Sequence, residues 1–231
     1  MLEQEKELRE QICFICKMMY ERGYIGGPAG NVSARLSEDL VLITPSIPFK
    51  QLLYPEQILI VDMQGNKQET GHEAVKNLKP TSEMFMHLEI YHQRPDVQGV
   101  VHAHPTYCVA LSSAGILMNT GVLTEGMIFL GSVPTAEFGT PTTQELVDSI
   151  SKLIPTHDAM LLSHHGALTV GKSPLDAYSR MEVLEQVAQV QLVVEQLGGL
   201  KRLSIPQIQR ILDVRKKMGM ALPSDDELLY S

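Results

Sequence analysis

The sequence has no tryptophan, and its aromatic content is only 5%. Packing therefore falls to aliphatic side chains and to 12 methionines, whose flexible thioethers fill irregular gaps. Cysteine is scarce and odd in number, three in 231 residues, which argues against a disulfide framework and fits a reducing compartment. Positive charge is in deficit, with 19 Lys and Arg against 27 Asp and Glu for a net charge of −8. That balance argues against a nucleic-acid or anionic-membrane surface. It does not oppose a small anionic substrate held by a few local donors. No apolar stretch approaches the length needed to span a bilayer. The opening MLEQEKELREQ lacks the basic and apolar regions of a signal peptide, so a cytoplasmic protein is expected.

What is present is interleaved helical and strand patterning, with no internal repeat and no low-complexity linker. Apolar Leu8, Ile12, Ile15 and Met19 predict a helix over Glu3–Glu21, ended by Gly23. A glycine-rich turn at 26–30 leads into short strand-like runs at 31–36, 40–44 and 58–62. Further on, Thr81 is a predicted N-cap for a helix reaching His92. A strand at 98–104, interrupted by Pro105, and short strands at 127–130 and 133–135 follow, then a helix at 142–153. Strands at 159–163 and 167–170 precede amphipathic helices at 174–197 and 207–218. The pattern predicts one α/β domain over 1–231, its sheet mixed or largely antiparallel because several strand connections are short. Cys13 and Cys16 form a C-x-x-C, but they fall mid-helix among Ile12, Phe14 and Ile15 and are read as core.

Of eight histidines, three stand in informative places. In the run Val100-Val101-His102-Ala103-His104, residues two apart on a strand share a face, so His102 and His104 can bind one ion. The alternative is two half-exposed histidines at a strand end. A hydrophobic strand running into His164-His165-Gly166 offers His165 as a third imidazole, and glycine there permits a sharp turn. Three imidazoles with an open fourth position make a catalytic zinc pattern. Copper, nickel or iron would also suit neutral imidazole. His87, four residues after Glu83, is read as a packing or hydrogen-bonding residue, His92 as a helix-end residue, and His72 and His157 as loop residues.

Glu83 falls in the first turn of the predicted 81–92 helix. It could serve as a general acid/base beside a metal, or simply favour the helix dipole. Gly30-Asn31-Val32-Ser33, Thr44-Pro45-Ser46 and Thr81-Ser82 together offer hydroxyls, an amide and free N–H groups, a phosphate cradle without Lys or Arg. Each alone is equally a turn or a cap. No lysine lies within an apolar strand, which disfavours a Schiff-base route.

The segments GPAGNVSAR, LITPS, KPTSEMFMH, RPDVQGVVHAHP and LLSHHGALTVG, in this order, resemble the class II aldolase/adducin family from near the N-terminus to about residue 190. His102 lies 19 residues after Glu83, and His165 lies 61 after His104, as in the family's aldolases acting on fuculose-1-phosphate-like ketose 1-phosphates. The resemblance implies a three-layer α/β/α sandwich with a mixed, largely antiparallel central sheet. It implies one Zn2+ per subunit, or another divalent transition metal, on His102, His104 and His165, with Glu83 as acid/base. It implies cleavage to dihydroxyacetone phosphate and an aldehyde through a metal-stabilised enediolate, with the phosphate at Gly30, Asn31, Ser46, Thr81 and Ser82. It also implies a homotetramer with sites between subunits, where Glu125 and the tail residue Tyr230 are further catalytic candidates. The chain departs from the family pattern at Pro28, Ile47 and Thr81, where Thr, Gly and Ser are usual. Rival readings are a ribulose-5-phosphate 4-epimerase, whose relatives carry Asp at the position of Glu83, a sugar-phosphate dehydratase or decarboxylase, and a non-catalytic adducin-like scaffold.

Overall fold

The computed structural model describes residues 3–69 and 73–223, so His72 and Tyr230 lie outside the described residues. Helix α1 (Glu3–Glu21) forms over its predicted length and buries Ile12, Ile15, Cys16 and Met19 on one side. The strands are β1 (Asn31–Arg35), β2 (Leu40–Ile43), β3 (Leu59–Asp62), β4 (Gly99–Ala103), β5 (Thr135–Ala136), β6 (Ala159–Leu162) and β7 (Gly166–Gly171). They make one sheet in the order β3-β2-β1-β4-β7-β6-β5. Every neighbouring pair is antiparallel except β5 with β6. The sheet is thus mixed and largely antiparallel, as the short connections predict.

Strand residues alternate between two hydrophobic layers. Val32, Ala34, Val101, Ala103 and Leu161 face α1, α3 (Thr106–Ser113) and α5 (Pro174–Gln196). Val41, Val100, Met160, Leu168 and Val170 face α2 (Met84–Gln93) and α4 (Gln144–Ser151). Both faces are covered, which explains why central strands read as nearly continuous apolar runs. Helix α5 starts where Pro174 occupies its first turn and the Ser173 side chain accepts the Asp176 N–H. Among the described residues no helix is long and apolar enough to cross a membrane.

Three local expectations are corrected. The strand predicted at 127–130 is a π-helical turn, Gly126–Leu130. Its carbonyls have a partner that the local pattern does not show: Arg215, from α6 (Ile205–Lys217), donates to the Met127 and Ile128 oxygens at 3.5 and 2.5 Å. Helix α3 was not anticipated beyond Pro105, because the acceptor for its first amides is remote. The Glu185 carboxylate, on α5, takes the Tyr107 and Cys108 N–H groups at 3.0 Å each. Finally, Thr81 is not the N-cap of α2: its N–H donates to the Thr44 carbonyl, tying it to the 44–46 loop, and the helix starts three residues later. The helix begins at Met84, so Glu83 stands at the cap position and not within the first turn.

Met181, fully buried on α5 between the helix layer and the sheet, has no room to be replaced by solvent. Met181→Ala is expected to cost about 2–5 kcal/mol of unfolding free energy, measured as a shift in the urea midpoint at unchanged slope.

Candidate active site

Asn31 pairs directly with His102 across β1 and β4, so both side chains project toward α2 at the same end of the sheet. His102 is fully buried there. His104 follows one residue beyond β4, its N–H donating to the Tyr24 carbonyl at 2.8 Å. His165 stands on the turn between β6 and β7, after His164, which adopts φ +56° and is exposed. The three ring centroids form a triangle with sides of 4.7, 4.9 and 5.0 Å. Gly166 makes that triangle possible. A Cβ on it would run into the Ala103 carbonyl oxygen and come within 2.8 Å of His104 Cδ2 and 3.0 Å of His102 Cε1.

The donor chemistry fits a cation. His102 Nδ1 lies 3.0 Å from the Ala167 carbonyl, which can only accept, so the proton sits on Nδ1. Its Nε2 is therefore a lone pair, and it faces His104 Nε2 at 3.1 Å. One nitrogen from each of the three imidazoles can be chosen so that all lie within 4.8 Å of one another. His165 Nδ1 is buried without a hydrogen-bond partner among the described residues. Burial, with the neighbouring imidazoles, holds His104 down to about 3, and burial also lowers His102. Neutral rings of this kind are metal ligands at neutral pH.

The Glu83 carboxylate, 9% exposed, lies 3.3 Å from His102 Nε2 and 3.2 Å from His165 Nε2. Burial opposes its ionisation, but His102, the His165 hydrogen bond and the Asn31 amide outweigh that and hold it below the usual carboxylate range. Behind it runs a buried chain whose direction the carboxylate fixes. Glu83 only accepts, so Asn31 turns its Nδ2 toward it at 2.8 Å. Asn31 Oδ1 then accepts from His87 Nε2 at 2.5 Å. His87 Nδ1 is left to accept from Ser33 Oγ at 2.7 Å, and Ser33 accepts from Tyr91 OH at 2.9 Å. His87 is a hydrogen-bonding residue, as its sequence position suggests. Its pKa is lowered to about 3, chiefly by burial.

The three anion-loop segments come together. Thr44 N–H donates to the Val32 carbonyl, Thr81 N–H to the Thr44 carbonyl and Ser46 N–H to the Lys79 carbonyl. Gly30 holds φ +72°, and a Cβ there would run into Ile25 and crowd the His102 carbonyl oxygen at 3.2 Å. Ser46 and Ser82 are exposed, whereas Asn31 and Thr81 are buried. Asn31 therefore gives its amide first to Glu83 and His87. Among the described residues, no contact brings Glu125 to the histidines. It is exposed at the head of the π-helical turn and accepts from Thr124 Oγ1 at 2.8 Å.

Sequence reasoning missed two features. A small cavity beside Ser82 and Glu83 is lined also by Thr142, Thr143 and Gln144, where Thr142 takes φ +70°. Lys50 is buried with 2% exposure. It lies in no strand, and no periodicity marks it.

A sequence model of the family described as Class II Aldolase and Adducin N-terminal domain matches residues 10–192. An L-fuculose phosphate aldolase of Methanococcus maripaludis (strain C5) is 33% identical over 184 residues, 80% of this chain and 95% of that protein. A 3-oxo-tetronate 4-phosphate decarboxylase of Haemophilus influenzae is 31% identical over 190 residues, 80% and 86% of the two chains. The crystal structure of L-fuculose-1-phosphate aldolase from Thermus thermophilus superposes with a TM-score of 0.72 at 31% identity, covering 84% of this chain and 97% of that one.

Two outcomes follow from the geometry. Gly166→Ala is expected to fold but to bind metal roughly 10–100-fold more weakly, because the added methyl displaces two imidazoles; a chelator competition assay measures it. The acid response tests His87. The folded chain refuses a proton that the unfolded chain binds below pH 6.5, so stability falls as pH drops from 6.5 toward 3. One such group contributes about 1.4 kcal/mol per pH unit across that window. Denaturant titrations at pH 7 and pH 4.5 should show a smaller acid loss in His87→Gln than in wild type.

Proposed function

Because the chain belongs to the class II aldolase and adducin family, we propose that it is a zinc-dependent aldolase cleaving a fuculose-1-phosphate-like ketose 1-phosphate to dihydroxyacetone phosphate and an aldehyde. One observation carries the reading: an ionised, buried Glu83 lies against two of the three clustered imidazoles, beside loops rich in neutral anion donors. A zinc ion on His102, His104 and His165 would polarise the ketose carbonyl and stabilise the enediolate left when the C3–C4 bond breaks. Glu83 accepts the proton released from the C4 hydroxyl and returns it to C3, so that the proton lost by the forming aldehyde ends on dihydroxyacetone phosphate. The chain from Asn31 to Tyr91 keeps Glu83 aimed during that exchange. Gly30, Asn31, Ser46, Thr81 and Ser82 bind the phosphate, with Ser46 and Ser82 the exposed donors.

The site is completed in a homotetramer, where a neighbouring subunit supplies Glu125 and the tail Tyr230. Glu125 is exposed and has no contact with the histidines of its own chain among the described contacts. Leu52, Tyr54 and Phe138 are each more than 60% exposed, which suits an interface. A second reading has a specific observation behind it, the similarity to a 3-oxo-tetronate 4-phosphate decarboxylase. Loss of CO2 from a 3-oxo acid leaves the same kind of enediolate, and the same imidazoles and carboxylate would serve it.

Glu83→Gln is expected to retain stoichiometric zinc by elemental analysis while kcat falls roughly 10²–10⁴-fold; unchanged kcat would move the acid/base role to another residue. Ketose 1-phosphates assayed for dihydroxyacetone phosphate, against phosphorylated 3-oxo acids assayed for CO2, decide between the two lyase readings.

A further inference from the structure

Lysine is rarely buried without an anionic partner, because its ammonium loses strong hydration. Lys50 is nevertheless 2% exposed. Its Nζ donates to two backbone carbonyls, those of Pro28 and, at 3.3 Å, Ile47. Among the described residues no carboxylate lies within ion-pair distance of it. A buried charge on carbonyls alone is unfavourable for stability, so a functional use is the more economical explanation.

Its placement identifies that use. Pro28 lies two residues before Gly30, and Ile47 follows Ser46, so the ammonium bridges the two loops that carry those donors. Phe49, just before it, holds φ +60° with its ring 57% exposed, and its N–H donates to the Gly27 carbonyl at 3.4 Å. A left-handed backbone at a phenylalanine is unfavourable, and here it accompanies an outward ring and an inward lysine. Burial lowers the Lys50 pKa, and Glu83 works to raise it, so the two groups lie within electrostatic reach of each other.

Resting on the phosphorylated-substrate reading above, we propose that Lys50 is a positioning residue of the phosphate site. Its buried ammonium clamps the glycine loop to the 44–47 loop and supplies the positive charge that the neutral donors lack. The metal proposed for the imidazoles lies on the Glu83 side of the site, and the Lys50 ammonium would add positive charge on the side of the glycine and 44–47 loops.

Two variants of the zinc-loaded protein separate charge from tether. Lys50→Gln keeps a donor for the carbonyls but removes the charge, and Lys50→Met removes both. Calorimetry with inorganic phosphate should show about 10–100-fold weaker binding in both variants, the loss expected for one charge-assisted contact. The kcat/KM ratio of a ketose 1-phosphate to the same ketose without phosphate should fall about tenfold or more, through KM. Lys50→Gln binding phosphate as wild type does would overturn the Lys50 assignment alone. A wild-type protein that binds no phosphate yet cleaves an unphosphorylated ketose would overturn both this proposal and the phosphate reading. Should neither variant fold, 31P NMR on wild type decides: the second ionisation of bound phosphate moves to lower pH beside a cation, and an unmoved or raised value refutes the role.

Discussion

Asn31 stands opposite His102 across an antiparallel pair of strands, and the site depends on that register. A one-residue slip of either strand would turn its polar side chain to the α1 face, where Val32 and Val101 now pack. The register is guarded from both sides. Val32, Ala34, Val101 and Ala103 need the α5 layer, while Ser33 and Asn31 need the polar partners that α2 presents. The hydrophobic alternation that folds the sheet therefore also delivers a polar stripe to one end of it.

That stripe works because each buried polar group finds a partner of fixed direction. Five side chains from β1, α2 and the α2 cap form one line from Tyr91 to Glu83, with every donor and acceptor assigned. Buried networks of this completeness hold their members rigidly, and a broken link leaves an unpaired group in a low-dielectric interior. Such rigidity suits the proton exchange proposed for Glu83 beside the imidazoles. The same burial that keeps His87 and His104 uncharged keeps their lone pairs available.

Charge is distributed with equal economy. Burial keeps His104 and His102 neutral, Glu83 is anionic, and the Lys50 cation is hidden under Pro28 and Ile47. Ser46, Ser82 and Thr142, the last at φ +70°, are polar residues near Glu83 and the anion loops.

Much of this was legible in the chain. The helical spacing of Leu8, Ile12, Ile15 and Met19 gave α1 to the residue, and the H-x-H on a strand with a His-Gly turn marked the imidazole triangle. Those features are local: periodicity, strand alternation and a glycine that no side chain could replace. The π-helical turn at Gly126–Leu130 and helix α3 were not legible, because the groups that satisfy their backbones, Arg215 and Glu185, lie about 80 residues away or more. Lys50 escaped notice for the same reason, since its partners are carbonyls that only the folded loops bring together. The sequence by itself determined which residues could carry the chemistry. Only the tertiary structure decided which of them meet, because burial, hydrogen-bond direction and electrostatic reach are set by contacts between distant segments.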